Sequence, residues 1–242
     1  NEGLSNRYIG DIIVLMKSVF KYAVKTYCIY NPMEGVSLPR KKTSDIRLLD
    51  KKEQLCLEEY VSKIHNSTTL GITLAMTTGI RIGELCALQW KDIDLEKRIL
   101  TVSKTVQRIQ LHEADRKTKL IITEPKSESS KRIIPIPEAV VAFLKEMREN
   151  DEDFVVSGTS RVIEPRTMQY RFAKILKNVN LPSVHFHALR HMFASNCIRL
   201  GFDIKALSEI LGHSSVEITL NRYVHSSFEQ KTEYMNRITI CV

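Results

Sequence analysis

Residues 184–225 read VHFHALRHMFASNCIRLGFDIKALSEILGHSSVEITLNRYVH. Glycines and short polar residues cut this stretch into three helices. Ala188 to Leu200 carries apolar groups at helical spacing and stops at Gly201. Asp203 is placed to cap a second helix, Ile204 to Leu211, which Gly212 closes. Ser214-x-x-Glu217 has the form of a capping box for a short third helix that carries Tyr223.

Outward from this stretch, the chain towards its start is also mostly helical. Segments 138–148 and 166–179 read as helices, as do 50–65 and 70–78, the last stopping at Gly79. Gly79-Ile80-Arg81-Ile82-Gly83-Glu84 opens another helix that runs to Trp90. Between residues 94 and 137 the period changes to two. Segments 99–109, 118–123 and 131–136 are rich in Ile, Val and Thr and read as strands. Residues 124–130 form a polar turn holding Lys126, and Pro135 and Pro137 confine the last strand to a sheet edge or shorten it. The expectation is a mainly α fold with a small antiparallel β-sheet, of α+β class.

Residues 11–30 form one more amphipathic helix, ended by Asn31-Pro32. Its apolar stripe includes Ile12, Leu15, Met16 and Val19, and Lys17, Lys21 and Lys25 lie four apart on the other side. Residues 33–46 have no period and contain the basic run Arg40-Lys41-Lys42, as a linker would. One helix and a linker cannot bury a core. With no methionine at position 1, this leads to the expectation that the chain belongs to something longer. The domain reading is 1–42 as the end of one domain, 43–225 as a second, and 226–242 as a tail. Within the tail, Phe228, Met235, Ile238 and Val242 fall on one helical stripe, which needs a groove to pack in.

The 242 residues carry 36 Lys and Arg against 28 Asp and Glu, a net charge of +8 compatible with a polyanion partner. The five cysteines are scattered and odd in number, which argues against a disulfide framework or a Cys-x-x-Cys metal site. No apolar run approaches the length of a membrane span, and residues 1–10 are too polar for a signal peptide.

Five of the seven histidines lie in the 184–225 stretch, in the order His187-x-x-Arg190, Leu211-Gly212-His213, then Tyr223. Each of these groups alone has an ordinary structural reading: a helix face, a helix C-cap, a core phenol. Arg81 could be a surface arginine and Lys126 a solvated turn. Together, however, they supply two guanidiniums, two imidazoles, an ammonium and a phenol. Transfer of a phosphodiester calls for these types: planar cations for the non-bridging oxygens, an in-line nucleophile, and a proton for the leaving alkoxide. No carboxylate pair or His/Cys cluster suggests a metal, so the arginines would take its electrostatic role.

Four patches resemble the tyrosine recombinases, the phage-integrase family, in that family's order. They are TTGIRIGEL around Arg81, EPKSESSKRIIPI around Lys126, HFHALRHMFAS around His187 and Arg190, and LGHSSVEITLNRYVH around His213 and Tyr223. The last is most similar to integrases of conjugative transposons and temperate phages. Tyr223 follows His213 by ten residues, where nine is also common, which implies a slightly different loop. The resemblance implies a catalytic domain preceded by the end of a helical core-binding domain. It implies attack by Tyr223 to give a 3′-phosphotyrosine, with Arg81 and Arg190 clamping the phosphate. His187 would accept a proton, His213 would bond a phosphate oxygen, and Lys126 would protonate the leaving oxygen. Glu84 would brace the site, while His191, pointing away from His187, and His225 would stay outside the chemistry. Lys17, Lys21, Arg40, Lys41 and Lys42 are candidate contacts to DNA.

No cofactor, metal or ATP is implied, because the covalent intermediate keeps the diester energy. The partners implied are double-stranded DNA and other copies of the chain in a tetrameric synapse, with the tail docked in trans. Accessory DNA-bending proteins fit the same picture, and the setting is the bacterial cytoplasm. Two alternatives share the residues: a type IB topoisomerase, which rejoins the same strand, and a catalytically silent DNA-binding relative. Chance motifs in a basic helical protein are a third.

Overall fold

The computed structural model describes residues 3–39, 47–110, 118–124, 130–223, 232, 235 and 236. It divides into two compact units, Asn1–Ile46 and Arg47–Val242. The run Arg40-Lys41-Lys42, Lys126, His225 and the tail residues Phe228, Ile238 and Val242 lie outside the described residues.

The first unit holds helix α1, Asn6–Tyr27, capped by the Ser5 side chain. It ends at Cys28, which takes the left-handed conformation (φ 52°) and bonds back to Val24. The helix therefore stops before Asn31-Pro32, because a left-handed C-cap closes it first. No residue of α1 is buried, and Leu15 and Val19 of its apolar stripe are mainly exposed.

The second unit is built on α2 (Lys51–Lys63), α3 (Ser67–Thr78), α4 (Ile82–Ala87), α5 (Glu138–Met147), α6 (Pro165–Asn178), α7 (His187–Arg199), α8 (Ile204–Leu211) and α9 (Val216–Tyr223). The strands are β1 (Ile93–Asp94), β2 (Ile99–Val102), β3 (Thr105–Gln110), β4 (Thr118–Thr123) and β5 (Arg132–Pro135). The fold is thus mainly α with small antiparallel sheets. Helix α3 is its axis. Leu70, Ile72, Leu74 and Ala75 are buried, and α2, α5, α6 and α7 surround it. A helix apolar on every side has nowhere to go but the centre. It begins earlier than its apolar run, at Ser67, because Asn66 caps Thr68 and Thr69.

The predicted strand at 99–109 is two strands in two sheets. β2 lies between β1 and β5, whereas β3 pairs with β4 in a separate hairpin that packs on α4. β5, which ends in Pro135, is an edge. Its alternation turns Ile134 and Ile136 into the core and leaves Ile133 and Pro135 outside. Arg132 shares the inward side.

At α9 the capping differs from the predicted box. Ser215 Oγ, not Ser214, accepts from the Glu217 amide (3.1 Å). No described helix is long and apolar enough to cross a membrane.

Candidate active site

Two helices deliver carbonyl groups to the site. α3 ends at Gly79 (φ 64°) and α8 at Gly212 (φ 64°), both left-handed C-caps. Glycine adopts this turn without a Cβ clash. Each turn leaves helix carbonyls without intrahelical donors. Arginines take them. Arg190, on the first turns of α7, donates from Nη1 to the Gly79 carbonyl and from Nη2 to that of Leu211, both at 2.7 Å. Arg81 donates from Nη2 to the Gly212 carbonyl (2.7 Å), and Arg132 from Nε to that of Ile210 (2.6 Å). Three successive carbonyls at the end of α8 are held by three guanidiniums from α7, the start of α4 and β5. The negative end of the helix favours cations there.

One carboxylate holds the cluster together. Glu84 is buried. Its Oε1 accepts from Arg81 Nη1 (2.8 Å) and Arg132 Nη1 (3.2 Å), and its Oε2 from Arg132 Nη2 (2.9 Å) and the Arg81 amide (3.0 Å). Burial alone would raise the Glu84 carboxyl. The hydrogen bonds and charge of Arg132, with those of Arg81, outweigh it and keep the carboxyl below its ordinary value. Arg190 shows the opposite balance. Burial first, then the charges of Arg81 and Arg132, push it down to about 9, against the pull of Glu84 and Tyr223. It stays cationic at neutral pH.

Arg81, His187, Arg190, Gly212 and His213 line one cleft of about 270 Å³, with Ser130, Ser214 and Ile218. His187 reaches it from the exposed start of α7, and His213 from the residue after the α8 cap. His213 Nδ1 is hydrogen-bonded to Thr219 Oγ1 (2.8 Å), a fully buried side chain on α9. This ties the imidazole to the helix that carries Tyr223. Tyr223 does not line the cleft. It packs beside Ala194, Cys197, Leu207 and Leu211, with its ring parallel to that of His213 and 6.4 Å away between centres. Its hydroxyl is buried and has no hydrogen-bond partner among the described residues.

His191 does not point away from His187. The two are four apart on α7 and share a face. Their rings meet edge to face at 4.9 Å, and the His191 ring is 5.3 Å from that of Tyr223. His191 is buried, with its ring between those of His187 and Tyr223. Lys17 and Lys21 stand on α1, Lys17 half-buried and Lys21 exposed.

Sequence reasoning missed Arg132, Thr219 and Ser130. Arg132 left a signal: an arginine on the inward side of a strand, in step with Ile134 and Ile136, requires an acid partner. Thr219 left none, since a buried threonine on a short helix is ordinary.

The phage integrase family profile matches residues 47–230, three quarters of the chain. The chain belongs to the phage integrase family. Among its relatives is a tyrosine recombinase XerC-like protein of Caldanaerobacter subterraneus, 31% identical over 96% of this chain and 65% of that protein. Another is the transposase from transposon Tn916 of Enterococcus faecalis, 28% identical over 98% of this chain and 62% of that protein. The chain thus spans less than two thirds of the length of these two relatives. The solved Tn1549 transposon integrase, in complex with a circular intermediate DNA, is similar in structure. Its TM-score is 0.79 at 26% identity, covering 98% of this chain and 81% of that one.

Proposed function

We propose that the chain is the catalytic part of a site-specific DNA recombinase that integrates or excises a mobile element. It would cut and rejoin strands through a 3′-phosphotyrosine. The observation that supports this most is the convergence of Arg81, Arg190, His187 and His213 on one cleft, with Tyr223 immediately behind His213. The related Tn1549 integrase is described with DNA, which favours a duplex as the substrate here.

In this reading Arg81 and Arg190 hold the non-bridging oxygens of the scissile phosphate, and charge growing on those oxygens strengthens both contacts in the transition state. Both arginines already donate to backbone carbonyls, Arg81 to Gly212 in the cleft wall and Arg190 to Gly79 and Leu211, so their direction is set before DNA arrives. His213 adds a bond to the same phosphate. Tyr223 Oη attacks phosphorus as His187 takes the phenolic proton. The bond from phosphorus to the 5′ oxygen breaks, and Lys126 supplies that oxygen with a proton. A 5′-hydroxyl from the second duplex then attacks the phosphotyrosine, releasing Tyr223 and returning the protons. Because the Tyr223 hydroxyl is buried, α9 has to shift when DNA binds. Proposed partners are duplex DNA, three further copies in a synapse, and accessory DNA-bending proteins, in the bacterial cytoplasm. Lys17 and Lys21 are proposed backbone contacts, with Arg40, Lys41 and Lys42.

The test uses a pool of short nicked duplexes of randomised sequence. The chain is incubated with the pool, and covalent adducts are isolated on a denaturing gel and sequenced. Tyr223→Phe should abolish the adduct while binding the pool as the parent does. An adduct of undiminished yield in that variant, or none with the parent, would overturn the reading. Joining of the captured strand to a second duplex separates a recombinase from an enzyme that only reseals its own strand.

A further inference from the structure

Arg132 has no place in the mechanism above, yet its side chain makes four hydrogen bonds. Its side chain is 6% exposed and it does not line the cleft. It forks onto both oxygens of Glu84, donates from Nε to the Ile210 carbonyl, and donates from Nη1 to the Ser130 carbonyl (3.1 Å). These four contacts join three separate pieces of the site. Glu84 in turn holds the backbone and the Nη1 of Arg81. The Ile210 carbonyl precedes the two that hold Arg190 and Arg81. Ser130 lines the cleft and stands four residues after Lys126 in the chain.

We propose that Arg132 is a positioning residue for the phosphate clamp, fixing Glu84, the end of α8 and Ser130 in one frame. The proposal rests on the recombinase reading of the cleft.

The physical argument is a competition for Glu84. With Arg132 in place, the carboxylate is shared, and Arg81 receives only one of its oxygens by side chain. The second Arg81 nitrogen is thereby left to the Gly212 carbonyl at the cleft wall. Without Arg132, Glu84 can fork onto Arg81 alone and draw it away from the phosphate. The Ile210 carbonyl would lose its donor at the same time, loosening the helix end that aims Arg190. Lysine cannot replace the fork, because a single compact ammonium cannot span both Glu84 oxygens and the Ile210 and Ser130 carbonyls as three separate nitrogens do.

The test compares the parent chain, R132M, R132K and Y223F on a nicked duplex recovered as a covalent adduct of the parent. Adduct formation is followed at saturating DNA, corrected for the folded fraction, and DNA affinity is measured separately. R132M should lower the rate by about 10- to 100-fold, the scale of a misplacement near 1 Å, with affinity nearly unchanged. R132K should recover part of that rate. The pH profile supplies a signature that loss of stability alone would not produce. Glu84 faces Arg81 from its own helix, Arg132 from β5 and Arg190 from α7. Removing Arg132 lets burial raise the Glu84 carboxyl, so the acid limb of the rate should move to higher pH. A folded R132M with the parental rate and acid limb would overturn the proposal. If R132M does not fold, R132K decides: a parental rate and acid limb overturn it, and a reduced rate with a raised limb supports it. A parent chain without any adduct would remove the recombinase reading, and this proposal with it; Y223F distinguishes that case from a failure of Arg132 alone.

Discussion

Two arginine–carboxylate forks among the described residues, Arg132–Glu84 and Arg108–Glu164, differ in almost everything except geometry. Arg132 and Glu84 are 6% and 4% exposed and share their atoms with Arg81, Ser130 and Ile210. Arg108 on β3 forks onto Glu164, the residue before α6, at 2.6 and 2.8 Å, with exposures of 44% and 25%. Water can replace either partner of the outer pair. In the inner pair it cannot, and each lost partner strands a buried charge. Three guanidiniums converge around Glu84, so its removal exposes them to mutual repulsion. The outer fork anchors the β3–β4 hairpin to the rim of α6, where a break is local.

The most damaging way to break this contrast is Glu84→Ala. Leaving a buried charge cluster without its counterion should destabilise the chain by on the order of 3–5 kcal/mol in urea unfolding. A loss under about 1 kcal/mol, the surface-pair range, would mean the inner fork behaves like the outer one.

Acid provides a milder form of the same test. Glu84 has a folded-state value below its unfolded one, so it binds fewer protons when folded. Its contribution is full above the ordinary carboxylate range and is lost as pH falls through the lowered value. The gap in melting temperature between the parent and Glu84→Gln should therefore be wide at neutral pH and narrow below about pH 4. A gap that stays constant would contradict the assigned direction. Glu164 is lowered as well, through its hydrogen bonds to Arg108, but at the surface.

The smallest effect belongs to the outer fork. Arg108→Ala should change stability by no more than about 1 kcal/mol, with the difference shrinking as salt rises. Adduct formation should be unaffected. A large loss of adduct would show that the hairpin, and with it the route to Lys126, depends on this anchor more than its exposure indicates.

Much of the scaffold was legible because it follows local rules. Asp203 stands at a helix start and accepts from the Ala206 amide it caps. Gly79 and Gly212 stop their helices in left-handed turns. Where the reading slipped, a local rule had a competitor. Cys28 closed α1 ahead of Pro32, and Ser215 displaced Ser214 as the cap of α9. The run 99–109 looked continuous because both halves share one composition, although the chain changes sheet between Val102 and Thr105.

The sequence by itself determined the residue types of the site and their order along the chain. Arg81, His187, Arg190, His213 and Tyr223 each stand beside a glycine stop or on a helix that the pattern reveals. Only the tertiary structure decided how they are held. Arg81 reaches Gly212 across 131 residues, Arg190 reaches Gly79 across 111, and Arg132 reaches Ile210 across 78 and Glu84 across 48. The acceptors in three of these four contacts are backbone carbonyls, which every residue has. Sequence marks where a helix ends but not which side chain will come to the carbonyls it leaves over. The same holds for Tyr223, whose hydroxyl is withdrawn behind the cleft by the packing of α7, α8 and α9 around it.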